Sequence, residues 1–210
     1  MSALLCSDAF QQIPPQNIQM IFMRLQRVDY KSGDVVIQQG SKGDHFYIVK
    51  SGRCKVTRES PGTSNNIALA ELGVGETFGE EALISSEARN ATVTMQTDGT
   101  LMRLGRDDFQ SLLNEPMIVS LEHEEADDAV NHGGKWLDVR VPSEFKAFAK
   151  ANAMNLPLYM LRHKLDALDR KTPYVVYCDT GRRSSAAAFI LNQRGFETAV
   201  LKGGLNHSEH

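Results

Sequence analysis

Two short runs of this 210-residue chain combine residue types that do chemistry on anions. In the first, Gly79-Glu80-Glu81-Ala82 opens a helix-prone stretch, small and polar residues follow, and Arg89-Asn90-Ala91 leads into an apolar strand start. Main-chain N–H groups at a helix start point at negative charge. Arg89 offers a planar fork of donors suited to a phosphate, and Glu80 is an acceptor for a sugar hydroxyl. The set describes a cradle for a ligand that is both sugar and anion. In the second run, the apolar segment Tyr174-Val175-Val176-Tyr177 runs into Cys178-Asp179-Thr180-Gly181-Arg182-Arg183 and then into a helical pattern through Arg194. A cysteine at the carboxyl end of a strand, with its loop turning into a helix start, sits where open α/β sheets bind ligands. Loop amides, the helix dipole and two arginines favour a negative sulfur there, and a thiolate is a nucleophile. Cysteine is also a common core residue at strand ends; the flanking glycine and paired arginines favour the reactive reading.

The stretch Phe78 to Val93 closely resembles the phosphate-binding cassette of cyclic nucleotide-binding domains, with the order found in protein kinase A regulatory subunits and no insertion between the Gly-Glu pair and the Arg. The resemblance implies that Gly79 and Ala82 lend amides to a cyclic phosphate, that Glu80 takes the ribose 2′-hydroxyl and that Arg89 pairs with the phosphate. Glu81, Asn90 and Ala91 complete the expected nucleotide-binding set. Cassettes preferring cGMP often carry Thr or Ser after the Arg, and kinase-type cAMP cassettes carry Ala; with Asn90 here, cAMP is expected over cGMP.

From Gly134 to Leu205 the chain looks like a single rhodanese domain, on Leu137-Asp138-Val139-Arg140, Asn155-Leu156-Pro157-Leu158, the Cys-x-x-Gly-x-Arg loop and Leu201-Lys202-Gly203-Gly204-Leu205. By that resemblance Cys178 carries a persulfide, the amides from Asp179 to Arg183 cradle its outer sulfur, and Arg183 helps hold an incoming anion such as thiosulfate. Asp138 and Arg140 are expected to brace the loop. Cysteine phosphatases place five residues between Cys and Arg, whereas Thr180, Gly181 and their neighbours make a loop of only four here, a size suited to sulfur rather than a phosphoryl group. One departure is the turn Ala149-Lys150-Ala151-Asn152-Ala153, where such domains usually carry His and Gly.

The elements that must position these runs differ between the two halves. Short strands separated by Gly33, Gly40, Gly43 and Gly52 argue for an antiparallel β-roll with flanking helices over residues 1–114. Strand–helix alternation after Gly134 predicts a parallel α/β sheet over 134–210, including a helix over Leu161 to Leu168. Between them, Leu121 to Asp128 carries five carboxylates and no Lys or Arg, and Asn131-His132-Gly133-Gly134 is a breaker cluster. Residues 115–133 are therefore expected to form an acidic linker. Asn114 to Pro116 is expected to interrupt the helix that follows the roll.

A composition of 41% hydrophobic and 23% charged residues suits a two-domain globular chain. A net charge of −3 gives no reason to expect a nucleic-acid partner. No apolar run has the length of a membrane span, and Met1 to Phe10 carries Asp8 and lacks a basic start, so no leader or anchor is expected. Cys6, Cys54 and Cys178 are too few and too scattered for a disulfide framework or a metal site, which points to the cytoplasm. The expected activity is a sulfurtransferase that needs no catalytic cofactor and answers to a cyclic nucleotide, with thiosulfate or a similar donor and a thiophilic acceptor such as a protein thiol. The alternative is a signalling module whose rhodanese-like part is a docking surface. An acidic segment followed by an α/β domain disfavours a transcription factor of the catabolite-activator type.

Overall fold

The computed structural model describes residues 13–59 and 66–207. Cys6 and the rest of the Met1 to Phe10 segment lie outside the described residues. The chain divides into two compact units, Pro15–Leu113 and one containing Asn114–His210.

In the first unit a helix α1 (Pro15–Arg24) precedes eight strands, β1 (Gln26–Tyr30), β2 (Val35–Ile37), β3 (His45–Ser51), β4 (Cys54–Glu59), β5 (Asn66–Leu72), β6 (Thr77–Phe78), β7 (Thr92–Met95) and β8 (Gly99–Gly105). They form two four-stranded sheets, ordered β1-β8-β3-β6 and β2-β7-β4-β5. Every pairing in both is antiparallel. A core of Ile37, Tyr47, Val49, Cys54, Leu72, Phe78, Val93, Met95 and Leu101 fills the roll. Burial pushes the Cys54 thiol up to about 11, so it stays protonated as a small apolar group. Among the described residues, the only helix between the strands is α2 (Glu80–Ser85), the cassette helix.

After β8 the helical run continues further than the sequence pattern suggests. It comprises α3 (Arg106–Phe109), a π turn at Gln110–Asn114 and α4 (Glu115–Met117). Pro116 does not end it. Proline offers no N–H to the preceding turn, and the Asn17 side chain of α1 donates to the Leu112 carbonyl of that turn at 3.4 Å.

The second unit is a five-stranded parallel sheet, ordered β11-β10-β12-β13-β9, from β9 (Val119–Leu121), β10 (Lys135–Asp138), β11 (Met154–Asn155), β12 (Tyr174–Tyr177) and β13 (Thr198–Leu201). Its helices are α5 (His123–Asn131), α6 (Pro142–Ala147), α7 (Leu158–Leu161) and α8 (Arg182–Asn192). Strand β12 is buried on both faces, as central parallel strands are. Its period of two sends Tyr174, Val176 and then Cys178 into one core with α8, and Val175 and Tyr177 into another with Trp136 and Ala126.

Two expectations are corrected here. Residues 115–133 are not a linker: β9 joins the sheet beside β13, and α5 packs Ala126, which has no exposed surface, against Trp136, Val175, Tyr177 and Leu201. The carboxylates belong to the start and outer face of α5. The Glu125 side chain accepts the Glu122 N–H at 3.0 Å. Their cationic partners come from distant sequence, with Glu122 paired to Lys202 and Asp127 to Lys150. The helix expected over Leu161 to Leu168 is two short pieces, α7 and a 3₁₀ turn at Leu165–Ala167. The apolar spacing was a true burial signal, since Leu161 and Leu168 both reach the core, but a bend at residues 162–164 delivers the second one.

Placing a carboxylate at the buried Ala126 tests the reassignment. In the full chain, Ala126→Asp should destabilise the unit that holds it by about 3 kcal/mol or more. Urea unfolding that finds the variant as stable as the parent would return this segment to linker status.

Candidate functional site

In the first unit, Gly79 (φ +91°) turns the chain out of β6 and caps α2. A side chain there would be strained, and its Cβ would lie 2.9 Å from both an Arg89 guanidinium nitrogen and the His45 carbonyl oxygen. The absence of a side chain is what admits Arg89, which is only 4% exposed. Its Nη1 donates to the Gly79 carbonyl at 2.6 Å, and its Nη2 donates to the His45 carbonyl at 2.7 Å and to Asp44 Oδ1 at 3.1 Å. One guanidinium thus ties the two ends of the cassette to β3. Two of its three acceptors are neutral, and Asp44 is largely solvated, with 65% of its side chain exposed. Burial acts to raise the Asp44 pKa, but its bonds to His45 and Arg89 prevail and hold it below the usual carboxylate value. The Asn90 side chain donates to Glu81, and the Asn90 carbonyl accepts Arg58 Nε at 2.8 Å. Glu80 and Ala82 of α2 are buried, as is Ala91 before β7. All seven expected nucleotide-binding residues are therefore gathered in one place.

Sequence reasoning missed Asp44, His45 and Arg106. Arg106 donates to the Gly43 carbonyl at 2.8 Å and to the Ala82 and Leu83 carbonyls at 3.4 and 3.3 Å. It therefore satisfies carbonyls of α2 from the first residue of α3. Only the Gly43-Asp44 turn left a trace in the sequence.

In the second unit, Cys178 follows the last residue of β12 and is completely buried. Gly181 (φ +84°) caps α8. The main-chain N–H of Ser184 faces the Cys178 sulfur at 3.4 Å, and the Ser184 hydroxyl lies 3.5 Å from it. Among the described contacts, the amide at the sulfur is thus that of Ser184, one residue beyond the expected Asp179 to Arg183 set. Thr180 and Arg182 point to solvent. The loop is held from beneath by the end of the last sequence mark of this half and the residue after it: Leu205 N–H donates to the Cys178 carbonyl and Asn206 N–H to the Asp179 carbonyl, both at 2.9 Å. A Cβ on Gly204 would lie 2.4 Å from the Cys178 carbonyl oxygen, which excludes any other residue there.

A chain of ion pairs locks the loop laterally. Asp138, wholly buried, meets Arg140 at 2.6 Å; Arg140 meets Asp179 at 3.0 Å; Asp179 meets Arg183 at 2.9 Å; and Arg183 makes a two-pronged bond to Glu144 at 2.8 and 2.9 Å. Arg140 also donates to the Phe148 carbonyl at 2.6 Å, and the Asn155 side chain donates to the Asp138 and Arg140 carbonyls. Asp138 and Arg140 brace the loop, as expected from their strand-end position. Arg183 departs from expectation: its donors go to Glu144 and Asp179 rather than to an open anion site. Glu144, which sequence reasoning did not single out, is held at about 2 chiefly by Arg183. Bonds to Glu144 in turn raise the Arg183 pKa. The atypical turn 149–153 is closed by an Ala153 N–H to Lys150 carbonyl bond and by Lys150 N–H to the Tyr177 hydroxyl, both at 3.1 Å. It holds its shape without the usual His and Gly.

The model of the cyclic nucleotide-binding domain matches residues 27–115, and that of the rhodanese-like domain matches 122–208. The chain joins a cyclic nucleotide-binding domain to a rhodanese-like domain. Among curated relatives, the cAMP-dependent protein kinase regulatory subunit of Dictyostelium discoideum is 34% identical over 109 residues, 52% of this chain and 33% of the relative. The cGMP-dependent protein kinase of Plasmodium berghei is 40% identical over 86 residues, 41% of this chain and 9% of the relative. The fusion thus spans a third or less of the length of these two relatives. Among solved structures, the regulatory domain of Toxoplasma gondii protein kinase A with cAMP matches at 28% identity and a TM-score of 0.50, over 53% of this chain and 42% of that one. The regulatory subunit of a cAMP-independent protein kinase A from Trypanosoma brucei matches at 23% identity and a TM-score of 0.50, over 55% and 42% of the two chains, and shows the fold alone.

The Glu144–Arg183 pair in the rhodanese-like domain gives a signed pH dependence. A carboxyl held at about 2 stabilises the fold fully above the ordinary carboxylate value and loses that stabilisation as pH falls toward 2. Denaturant unfolding of the parent should therefore weaken between about pH 4.5 and 2 more steeply than that of Glu144→Gln. Parallel curves would show that the pair does not persist in solution.

Proposed function

We propose that the chain is a cyclic nucleotide-responsive sulfurtransferase acting through a Cys178 persulfide. The observation that carries this reading is the placement of Cys178 one residue past β12, with its sulfur facing the Ser184 N–H at the start of α8. A helix start and its amides stabilise negative sulfur. The Cys178 thiolate attacks the sulfane sulfur of a donor such as thiosulfate, the S–S bond of the donor breaks and sulfite leaves with the bonding pair. The resulting Cys178 persulfide then passes its outer sulfur to cyanide, a small thiol or a protein thiol, and the thiolate returns. The steps need no metal.

In the first unit we propose a cyclic nucleotide as the regulatory ligand. The buried, mostly neutrally paired Arg89 takes the phosphate, Gly79 and Ala82 lend amides and Glu80 meets the ribose hydroxyl. The relatives include both cAMP- and cGMP-dependent kinases; Asn90 after the Arg, without the Thr or Ser of cGMP cassettes, inclines the reading to cAMP. Nucleotide binding that changes sulfur transfer would represent a coupling of about 1–3 kcal/mol. Free Cys54 and Cys178 accord with a reducing, cytoplasmic setting. Among the described residues no helix is long and apolar enough to cross a membrane.

A second reading has a specific observation behind it. The complete burial of the Cys178 sulfur and the saturation of Arg183 by carboxylates favour a non-catalytic rhodanese-like domain that serves as a docking surface. The thiosulfate:cyanide assay separates the two: the parent chain should form thiocyanate and Cys178→Ser should not. Absence of Cys178-dependent thiocyanate sinks the enzyme reading. For the cassette, Arg89→Ala should weaken cAMP binding at least about tenfold in titration calorimetry, since the desolvated phosphate loses its countercharge. Unchanged affinity in a folded variant would falsify the role given to Arg89.

A further inference from the structure

His45 is the only histidine in the sequence of the first unit, Pro15–Leu113, and it stands beside the cassette arginine. Its carbonyl accepts Arg89 Nη2 at 2.7 Å, and its ring Nδ1 lies 2.9 Å from Asp44 Oδ2. The other oxygen of the same carboxylate, Oδ1, accepts Arg89 Nη2 at 3.1 Å. One carboxylate therefore bridges an imidazole and the guanidinium. Of the five N–H donors of Arg89, three are engaged with Gly79, His45 and Asp44, which leaves the Nε–H and one Nη1–H for a ligand. Asp44 and an incoming phosphate are rivals for one positive charge, and the ring next to Asp44 sets how strongly it competes.

The other groups at this corner hold a constant charge near neutrality. The Tyr47 ring centroid is 6.1 Å from that of His45, and burial pushes the Tyr47 hydroxyl up to about 12, so it stays neutral. Arg103 of β8 and Arg106 of α3 lie on either side of Gly105, the residue paired with His45. Glu80 stands in α2, Asp107 and Asp108 stand in α3, and Lys42 precedes the Gly43-Asp44 turn. Asp44 is held below the usual carboxylate value by His45 and Arg89 against the opposing effect of burial. Between about pH 6 and 8, arginines, lysines and carboxylates ordinarily keep their charge, whereas an imidazole gains or loses one. Whatever the fixed charges sum to, they are the same at both ends of that range and cancel when the two ends are compared.

We propose that His45 is a positioning residue for the nucleotide: its protonated imidazole takes up the charge of Asp44 and frees Arg89 for the cyclic phosphate, so that nucleotide affinity rises as pH falls from about 8 to about 6. This rests on the cyclic nucleotide reading above and names a regulation of that same site. With the ring neutral, Asp44 brings its full negative charge against the phosphate at the shared guanidinium. A proton on the ring offsets that charge. A ligand that binds the protonated form more tightly takes up a proton on binding, and by linkage its affinity climbs toward acid pH. The effect is graded rather than all-or-none, because the Asp44 side chain is 65% exposed and water screens it.

Titration calorimetry of the full chain with cAMP, from about pH 8 to about pH 6, tests the proposal. The parent Kd should fall at least about threefold toward pH 6, with net proton uptake read from buffers of different ionisation enthalpy. In His45→Gln the change should shrink to less than about 1.5-fold and the proton uptake should go with it. Asp44→Asn should flatten the profile as well, because the ring acts through that carboxylate. A histidine that only packs against its strand would shift affinity equally at every pH. A parent profile that is flat or falls toward pH 6 overturns the proposal, as does a His45→Gln protein that keeps the parental slope. A slope that survives in Asp44→Asn puts the proton's effect on the ligand directly and overturns the positioning role. The parent and Asp44→Asn profiles decide the matter if His45→Gln does not fold. A parent that binds neither cAMP nor cGMP at any pH removes the nucleotide reading itself, and this inference with it.

Discussion

A guanidinium withdrawn from water has five N–H donors and a full charge to satisfy, and it cannot be deprotonated to escape the cost. Each unit of this chain is organised around one such group. Arg140 is 5% exposed and is met by Asp138, Asp179 and the Phe148 carbonyl. Breaking a buried pair of this kind typically costs about 3–5 kcal/mol, because the remaining charge is left without compensation. Arg140 is therefore fixed, and through it Asp179, Arg183 and the first turn of α8 are fixed as well. Arg89 plays the corresponding part in the other unit, where it fastens Gly79 to the backbone of β3.

The two arginines differ in what compensates them. Arg89 leans on carbonyl oxygens and on a carboxylate that is mostly in water, so much of its positive field is still available to an anion. The partners of Arg140 and Arg183 are chiefly carboxylates, those of Asp138, Asp179 and Glu144. The same side chain thus meets different surroundings, decided by whether its partners are peptide groups or acids. Glycines make both arrangements possible. Gly79 lets a guanidinium reach the main chain, and Gly204 lets one stretch of backbone lie against another under Cys178.

The chemistry-bearing residues were legible because they are local. Gly79 to Ala91 and Cys178 to Arg183 are continuous runs whose residue types carry their meaning at short range, and the strands around them follow the period of two. What escaped was whatever depends on partners far away in sequence. Asp44 and Glu144 look like ordinary surface acids until the fold brings Arg89 and Arg183 to them. The acidic stretch after Leu121 read as a linker because its cations, Lys150 and Lys202, lie many residues downstream. Ala126 gave no apolar signal strong enough to reveal a buried helix face. The role of Ser184 escaped for a different reason. Which amide meets the sulfur depends on the left-handed turn at Gly181, and residue type does not specify where that turn aims the following N–H groups.

Strand order in the parallel sheet has a consequence for how this half of the chain is made. β9 is its first strand in sequence, yet its only neighbour in the sheet is β13, the last. Contacts that join distant stretches of chain form slowly, because the intervening loop must close before they repay it. During synthesis on the ribosome, Val119–Leu121 emerges with an unsatisfied edge and waits until Thr198–Leu201 has cleared the exit tunnel. The nascent sheet is completed as a closing act, from its first strand to its last.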